Sequence, residues 1–257
     1  MSSPAKEESG NGTADPHQRL RSFWDLDAEV YDRSPTHAGT EPVEAAVWRA
    51  ALLRHLPPPP ASILDAGAGT GALSLLLAEL GYRVTALDLS PAMLARAIEK
   101  AAERGVELQT WVAPATEPPP GPFDAVVERH MLWTAPDPVG SLRALRSVAP
   151  LLVSYEGLFS RTGPWHELRH AAATGLRKLY RIPLEHHGEY DADLIAALPL
   201  AGRMRPAALI ESLAEAGWRR FRFERLRDVE WARRIASPNP LLGALESVPH
   251  FALLAES

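Results

Sequence analysis

Hydrophobic and polar positions alternate in blocks along the middle of this chain. Five short apolar runs have the length and composition of buried strands. They lie at 62–65, 83–88, 106–112, 123–128 and 151–156. The segments between them repeat apolar residues at helical spacing, and two of these segments end at Gly81 and Gly105, which suit helix C-termini. The alternation predicts an α/β protein with a doubly wound, mostly parallel sheet.

Two further strands are predicted near the end of the chain, at 219–226 and 251–255, joined by a long loop. The first alternates Phe with Arg, as a solvated edge strand does, and a nucleic-acid-binding basic patch is the alternative. A helix over 206–216 precedes this pair. In such a sheet the ligand is expected at the carboxyl ends of the strands.

The flanking regions break the alternation. Residues 1–17 are small and polar and predict a disordered tail, whereas 18–257 form one domain. Helices over 18–30 and 41–56 make an N-terminal cap spanning 18–56. Residues 157–205 carry histidines and aromatic residues, and we interpret them as a helical insertion after the fifth strand, a substrate lid over the active site.

Composition narrows the function. The chain has 257 residues, a net charge of −5 and no cysteine, which argues against nucleic-acid binding and excludes disulfides and thiol chemistry. The N-terminus has no apolar signal segment, and no apolar run approaches membrane-spanning length. We expect a cytoplasmic monomer or homodimer that acts on a small molecule, with no nucleic-acid or membrane partner.

The junction after the first strand carries the most specific signal. Asp65 ends the strand, and Gly67, Gly69 and Gly71 follow before an apolar helix. Glycine permits the tight turn and leaves room for a ligand at the positive end of the helix. Gly67, Gly69 and Ala72 also fit the fingerprint of nicotinamide and flavin enzymes, which is weak by itself. A turn without ligand is the remaining alternative.

The second strand ends in Asp88, an acid suited to ribose hydroxyls or to a helix cap. The strings LDAGAGTG (64–71) and VTALDLSPAML (84–94) resemble motifs I and II of the class I S-adenosylmethionine (SAM)-dependent methyltransferases of small-molecule type. That resemblance implies a seven-stranded sheet whose last strand is antiparallel. It also implies SAM as cofactor and S-adenosylhomocysteine (SAH) as product.

By the same resemblance, the glycine loop lies under the methionyl and ribose groups, Asp88 binds the ribose, and Leu89 and Met93 flank the adenine. Met93 is equally typical of core packing. Tyr31, in a segment WDLDAEVYD resembling a helix that closes over SAM, covers the methionyl end. The implied cofactor-binding residues are Tyr31, Asp65, Ala66, Gly67, Gly69, Gly71, Asp88, Leu89, Met93, Ala115, Thr116 and Glu128.

One departure from the family pattern follows the third strand. Members usually carry Gly-Asp-Ala there, with the Asp on the adenine amino group, but this chain has Ala113-Pro114-Ala115-Thr116. Thr116 or Glu117 could substitute, and Pro114 removes a backbone donor. The departure keeps open an alternative function, a methyltransferase-fold protein that binds SAM or another ligand without methyl transfer, as a cyclase or regulator.

Three residues are predicted to be catalytic: His130, Tyr31 and His37. His130 follows the fourth strand and is the best-placed base, because its pKa suits proton removal near neutrality; a packed histidine is the alternative. Glu128 ends that strand, and the resemblance implies a place for it near the sulfonium, while Arg129 is either functional or an ion-pair partner. His37 lies on a loop that could reach the pocket, and a surface position is its alternative.

Four histidines in the insertion invite a metal interpretation, but their spacing suggests no third ligand, and pocket lining or exposure fits better. They are His166, His170, His186 and His187. The predicted reaction is methyl transfer to an oxygen or nitrogen, less readily a carbon, of a small molecule in secondary metabolism.

Overall fold

A computed structural model describes residues 15–33, 41–158, 163–182 and 190–257. Its strands are β1 Ser62–Ala66, β2 Arg83–Asp88, β3 Gln109–Val112, β4 Ala125–Arg129, β5 Leu151–Gly157, β6 Arg219–Arg225 and β7 His250–Glu256. The helices of the first half are α1 Pro16–Asp27, α2 Pro42–His55, α3 Ala72–Glu79, α4 Pro91–Arg104 and α5 Pro138–Val148. The later helices are α6 Pro164–Tyr180, α7 Ala192–Ala196, α8 Pro206–Glu215, α9 Arg227–Ala236 and α10 Pro240–Glu246. Short 3-10 helices cover Tyr31–Arg33 and Leu132–Thr134.

The seven strands form one sheet in the order β3-β2-β1-β4-β5-β7-β6. The pairs from β3 to β5 are parallel, while β7 runs antiparallel to both β5 and β6. The predicted α/β fold class and the antiparallel last strand are therefore confirmed. The order reverses at β1, so the carboxyl ends of β1, β2 and β4 meet at one edge of the sheet.

Apolar side chains cover both faces of the sheet, which explains why the central strands are buried. On one face, α2 and α3 contribute Trp48, Leu52 and Leu76 to a core that includes Ile63 of β1. On the other face, residues of α5 and α8 pack with Leu64 and Trp218. The layers are therefore helix, sheet and helix, with the sheet as the rigid platform of the site.

Local sequence signals explain several boundaries. Ser90 accepts a hydrogen bond from the Met93 N–H at 3.1 Å and caps α4, whose first position is Pro91. The helix ends at Gly105, where φ is 64°. β6 is an edge strand with mostly exposed side chains, as its Phe and Arg alternation predicts.

The structure corrects three expectations. The link between β6 and β7 is not a long loop, because α9 and α10 lie within it. The first helix begins at Pro16 with Asp15 as its cap, so residues 15–17 do not belong to a tail. The third strand is shorter than predicted and starts at Gln109. Within the described ranges, no helix is long and apolar enough to cross a bilayer.

Candidate active site

A pocket of about 790 Å³, its mouth included, opens at the carboxyl ends of β1, β2 and β4. Its wall combines the glycine loop, the end of β2, the segment after β3, the segment after β4 and the inner face of α1. The lining residues include Trp24, Tyr31, Gly67, Gly69, Asp88, Leu89, Met93, Ala113, Pro114, Ala115, Arg129, His130 and Met131. Parts of the chain that lie more than a hundred residues apart therefore share one cavity.

The glycine loop is held against β2 by main-chain hydrogen bonds. The N–H groups of Gly67 and Ala68 donate to the Leu87 carbonyl at 2.8 and 3.0 Å. Gly67 has φ of 70°, and a Cβ there would lie 2.3 Å from Cγ of Met131. A side chain at position 67 therefore cannot coexist with the segment that follows β4.

Asp88 presents a fixed carboxylate to the pocket. Its two oxygens accept hydrogen bonds from the N–H of Gly69 at 2.8 Å and the N–H of Ser90 at 2.9 Å. Burial raises the pKa of Asp88 to about 6, against the lowering effect of these two bonds. The carboxylate thus supports the turn, and its remaining lone pairs can accept hydrogen bonds from a ligand.

Two aspartates of the N-terminal segment tie it to the pocket. Asp25 accepts from the Ser90 hydroxyl at 2.6 Å, and Asp32 accepts from Thr70 at 2.7 Å. Asp32 also pairs with Lys100 of α4 at 2.9 Å. These contacts place Tyr31 on the pocket wall. We did not predict a role for either aspartate, although both belong to the WDLDAEVYD segment.

His130 is paired with a carboxyl group that the sequence analysis missed. Its Nδ1 lies 3.0 Å from Oε2 of Glu156, the buried next-to-last residue of β5. His130 has φ of 60°, because the chain turns away from the sheet directly after β4. Burial and the nearby Glu128 raise the pKa of Glu156 well above its usual range. The only sequence signal for this pair was an acid at the end of a predicted strand.

Two predicted cofactor residues lie behind the pocket wall and are not among its lining residues. Asp65 accepts from the Ser74 hydroxyl at 2.6 Å, and burial raises its pKa to about 6. Glu128 accepts from Ser154 and from the Met131 N–H, and burial raises its pKa to about 7. Both carboxyl groups therefore fix the segments that carry the lining residues.

The other predicted site residues are distributed as follows. Ala115 lines the pocket, whereas Ala66, Gly71 and Thr116 are not among its lining residues. His37 lies outside the described residues.

Of the insertion histidines, His186 and His187 also lie outside the described residues, and so does the side chain of His166. The side chain of His170 is exposed. In the described part of the chain, no three His, Cys, Asp or Glu side chains come together as a metal site.

Comparison with known proteins identifies the centre of the chain. Residues 63–152, from β1 into β5, match the family model described as a methyltransferase domain. This segment is a methyltransferase domain. It contains the glycine loop, Asp88 and His130, and it supplies most of the residues that line the pocket, while α1 and Tyr31 supply the rest.

Named relatives and solved structures resemble the methyltransferase domain and its surroundings. The ubiquinone biosynthesis O-methyltransferase of Xanthomonas campestris pv. campestris (strain B100) is 36% identical over 131 residues, 49% of this chain and 51% of that protein. The chain thus spans about half the length of the curated relatives it matches.

Two solved structures share the fold. The SAM-bound magnesium protoporphyrin IX methyltransferase of Synechocystis PCC 6803 aligns with a TM-score of 0.58 and 17% identity, covering 96% of this chain and 100% of that one. The (4+2)-cyclase SpnF aligns with a TM-score of 0.55 and 19% identity, covering 83% and 80%. The class I methyltransferase fold therefore extends well beyond the matched domain.

Proposed function

We propose that this protein transfers the methyl group of SAM to a nucleophile on a small molecule. The observation that carries the proposal is the carboxylate of Asp88, fixed by two backbone N–H groups beside the glycine loop and facing the pocket that also contains His130. Ribose hydroxyls donate to such a carboxylate, as in nucleotide sites of this topology.

In this proposal the protein aligns the acceptor with the sulfonium methyl carbon and excludes water. The acceptor attacks that carbon, the carbon–sulfur bond breaks, and SAH leaves as the product. His130, oriented by Glu156 at 3.0 Å, accepts the proton of the acceptor hydroxyl or amine. Tyr31 covers the methionyl end.

Oxygen or nitrogen is the proposed acceptor atom, and carbon is less expected. The name of the matched O-methyltransferase of Xanthomonas supports oxygen. We further propose a role in secondary metabolism for a cytoplasmic monomer or homodimer, with residues 157–205 acting as the lid over the acceptor.

Incubation with isotopically labelled SAM and a panel of phenols and amines tests the proposal. Labelled methyl in a panel compound, together with SAH formation, supports it. No transfer to any class of compound despite tight SAM binding favours the second candidate below.

The second candidate is a ligand-binding or cyclase function without methyl transfer. It is favoured by one specific observation: Ala113, Pro114 and Ala115 line the pocket where the family carries an acid. The fold likeness to a cyclase agrees with it. Binding of SAM that is never converted to SAH would identify this function.

A further inference from the structure

Arg129 is a half-buried cation on the wall of the pocket. It is the last residue of β4 and lines the pocket next to His130. Its guanidinium lies over the ring of Trp48, 5.4 Å from the centroid. Within the described residues, the guanidinium makes neither an ion pair nor a hydrogen bond, so the ion-pair alternative raised from the sequence finds no support there.

The acids near Arg129 are already engaged with other groups. Glu44 accepts from Nε of Arg233 at 2.8 Å and from the Trp48 ring nitrogen at 3.2 Å. Asp65 accepts from Ser74. Arg233 adds a second positive charge in the same region, and burial together with that charge lowers the pKa of Arg129. The positive charge of the pocket wall is therefore only partly compensated by the protein.

A guanidinium that is partly withdrawn from water favours an anionic or strongly accepting partner, because desolvating its charge without one is costly. Its five N–H donors match a carboxylate in a two-bond, planar arrangement. We propose that Arg129 binds a carboxylate group of the bound ligand. This inference rests on the proposed function, and the carboxylate comes either from the methionyl end of the cofactor or from an acidic acceptor.

The residues around Arg129 support a ligand next to its guanidinium. Tyr31 and His130 line the same pocket as Arg129. A carboxylate held by Arg129 would therefore share the pocket with the residue predicted to cover the methionyl group and with the predicted base. Arg129 would then bind the ligand from the end of β4 while its guanidinium stays packed on the Trp48 ring.

Calorimetry with two matched ligand pairs tests the proposal without requiring turnover. SAH and 5′-methylthioadenosine share the adenosine and the sulfur, but only SAH has a carboxylate. On SAH-loaded protein, 3,4-dihydroxybenzoate and catechol form the second pair. The proteins are the native chain, Arg129→Met, Arg129→Lys, and the control Arg143→Met, whose arginine is exposed on α5. Circular dichroism checks that each variant is folded.

We expect the native chain to prefer the carboxylated member of one pair, and Arg129→Met to reduce that preference by about 10- to 100-fold. Loss of the SAH preference identifies the methionyl carboxylate, and loss of the dihydroxybenzoate preference identifies an acidic acceptor. Arg129→Lys retains the positive charge but not the planar pair of N–H donors, so it should lose part of the preference for the carboxylated ligand. The control Arg143→Met should show the native preference.

The proposal is overturned if folded Arg129→Met, or folded Arg129→Lys where the Met variant does not fold, retains the native preference in both pairs. It is equally overturned if the native chain shows no preference in either pair. Failure of the proposed function gives a different result, because the protein would then bind SAM without transferring its methyl group, whatever the ligand preference of the Arg129 variants.

Discussion

The two ends of the pocket are built in different ways. At one end, Asp88 and the glycine loop are fixed by main-chain N–H groups within about twenty residues of sequence. At the other end, His130 depends on a side chain from another strand, Glu156 of β5. The first end is set by local backbone geometry, whereas the second is set by which side chains the sheet register brings together.

This difference suggests a division of labour. A site fixed by main-chain contacts is hard to reshape by exchanging side chains. It therefore suits a ligand group that is always the same, such as an adenosyl ribose. Side-chain contacts can be exchanged while the strands keep their places, which suits a variable acceptor. We therefore expect substitutions at the Asp88 end to change cofactor affinity and substitutions at the His130 end to change turnover.

The largest expected effect is at the His130 end. His130→Ala should lower kcat by about 100- to 10,000-fold if the imidazole removes the proton of the acceptor. The dissociation constant for SAH should change little, because the ribose contacts are at the other end. Single-turnover assays and calorimetry measure the two quantities separately. A fully active variant would leave His130 a structural residue.

Asp88→Ala should have the opposite profile. Loss of the ribose hydrogen bonds should weaken SAH binding by about 1–3 kcal/mol, while turnover at saturating SAM stays near native. Thermal denaturation of the apo protein controls for damage to the loop, since Gly69 and Ser90 also lose their acceptor. Unchanged affinity for SAH would assign the ribose to a different strand end.

Cofactor affinity should also depend on pH through Asp88. Its pKa is raised to about 6, and the ionised form is the one that accepts hydrogen bonds from two hydroxyls. SAH binding should therefore weaken as the pH falls through about 6, by up to about tenfold per pH unit below that point. Asp88→Asn should remove this dependence. Asp65, with a pKa also about 6, is the competing source, and persistence of the slope in the variant would point to it.

The raised pKa of Asp88 also affects folding. An acid whose pKa is higher in the folded protein than in the unfolded chain favours folding most at low pH, below its unfolded pKa. That contribution is lost as the pH rises through about 6. Asp88→Asn should therefore flatten the decline in the free energy of unfolding of the apo protein between about pH 4 and pH 7. An unchanged decline would mean that Asp88 does not cause it.

The smallest expected effect concerns Glu156. Glu156→Gln keeps a partner for Nδ1 of His130 but removes the carboxyl group, so kcat should fall by about fivefold, equivalent to one net hydrogen bond of about 1 kcal/mol. The histidine tautomer, followed by NMR of labelled imidazole nitrogens, should change with it. A tautomer identical to that of the native protein would show that Glu156 only fills space.

The same division explains what the sequence could predict. The strands, the glycine loop and the acid at the end of β2 follow from local pattern, and β2 has the predicted bounds of Arg83–Asp88. The link between Glu156 and His130 depends on the pairing of β4 with β5, which no local pattern encodes. α9 was missed because Val229 and Ala232 are its buried residues, two apolar positions among charged ones.

The most direct test of the account is a crystal structure of the chain with SAH bound. We predict that the ribose hydroxyls lie within hydrogen-bond distance of the Asp88 carboxylate. The thioether sulfur should face His130, with the methionyl group beneath Tyr31. An adenosine bound at the His130 end, or outside the pocket altogether, would contradict the division between the two ends.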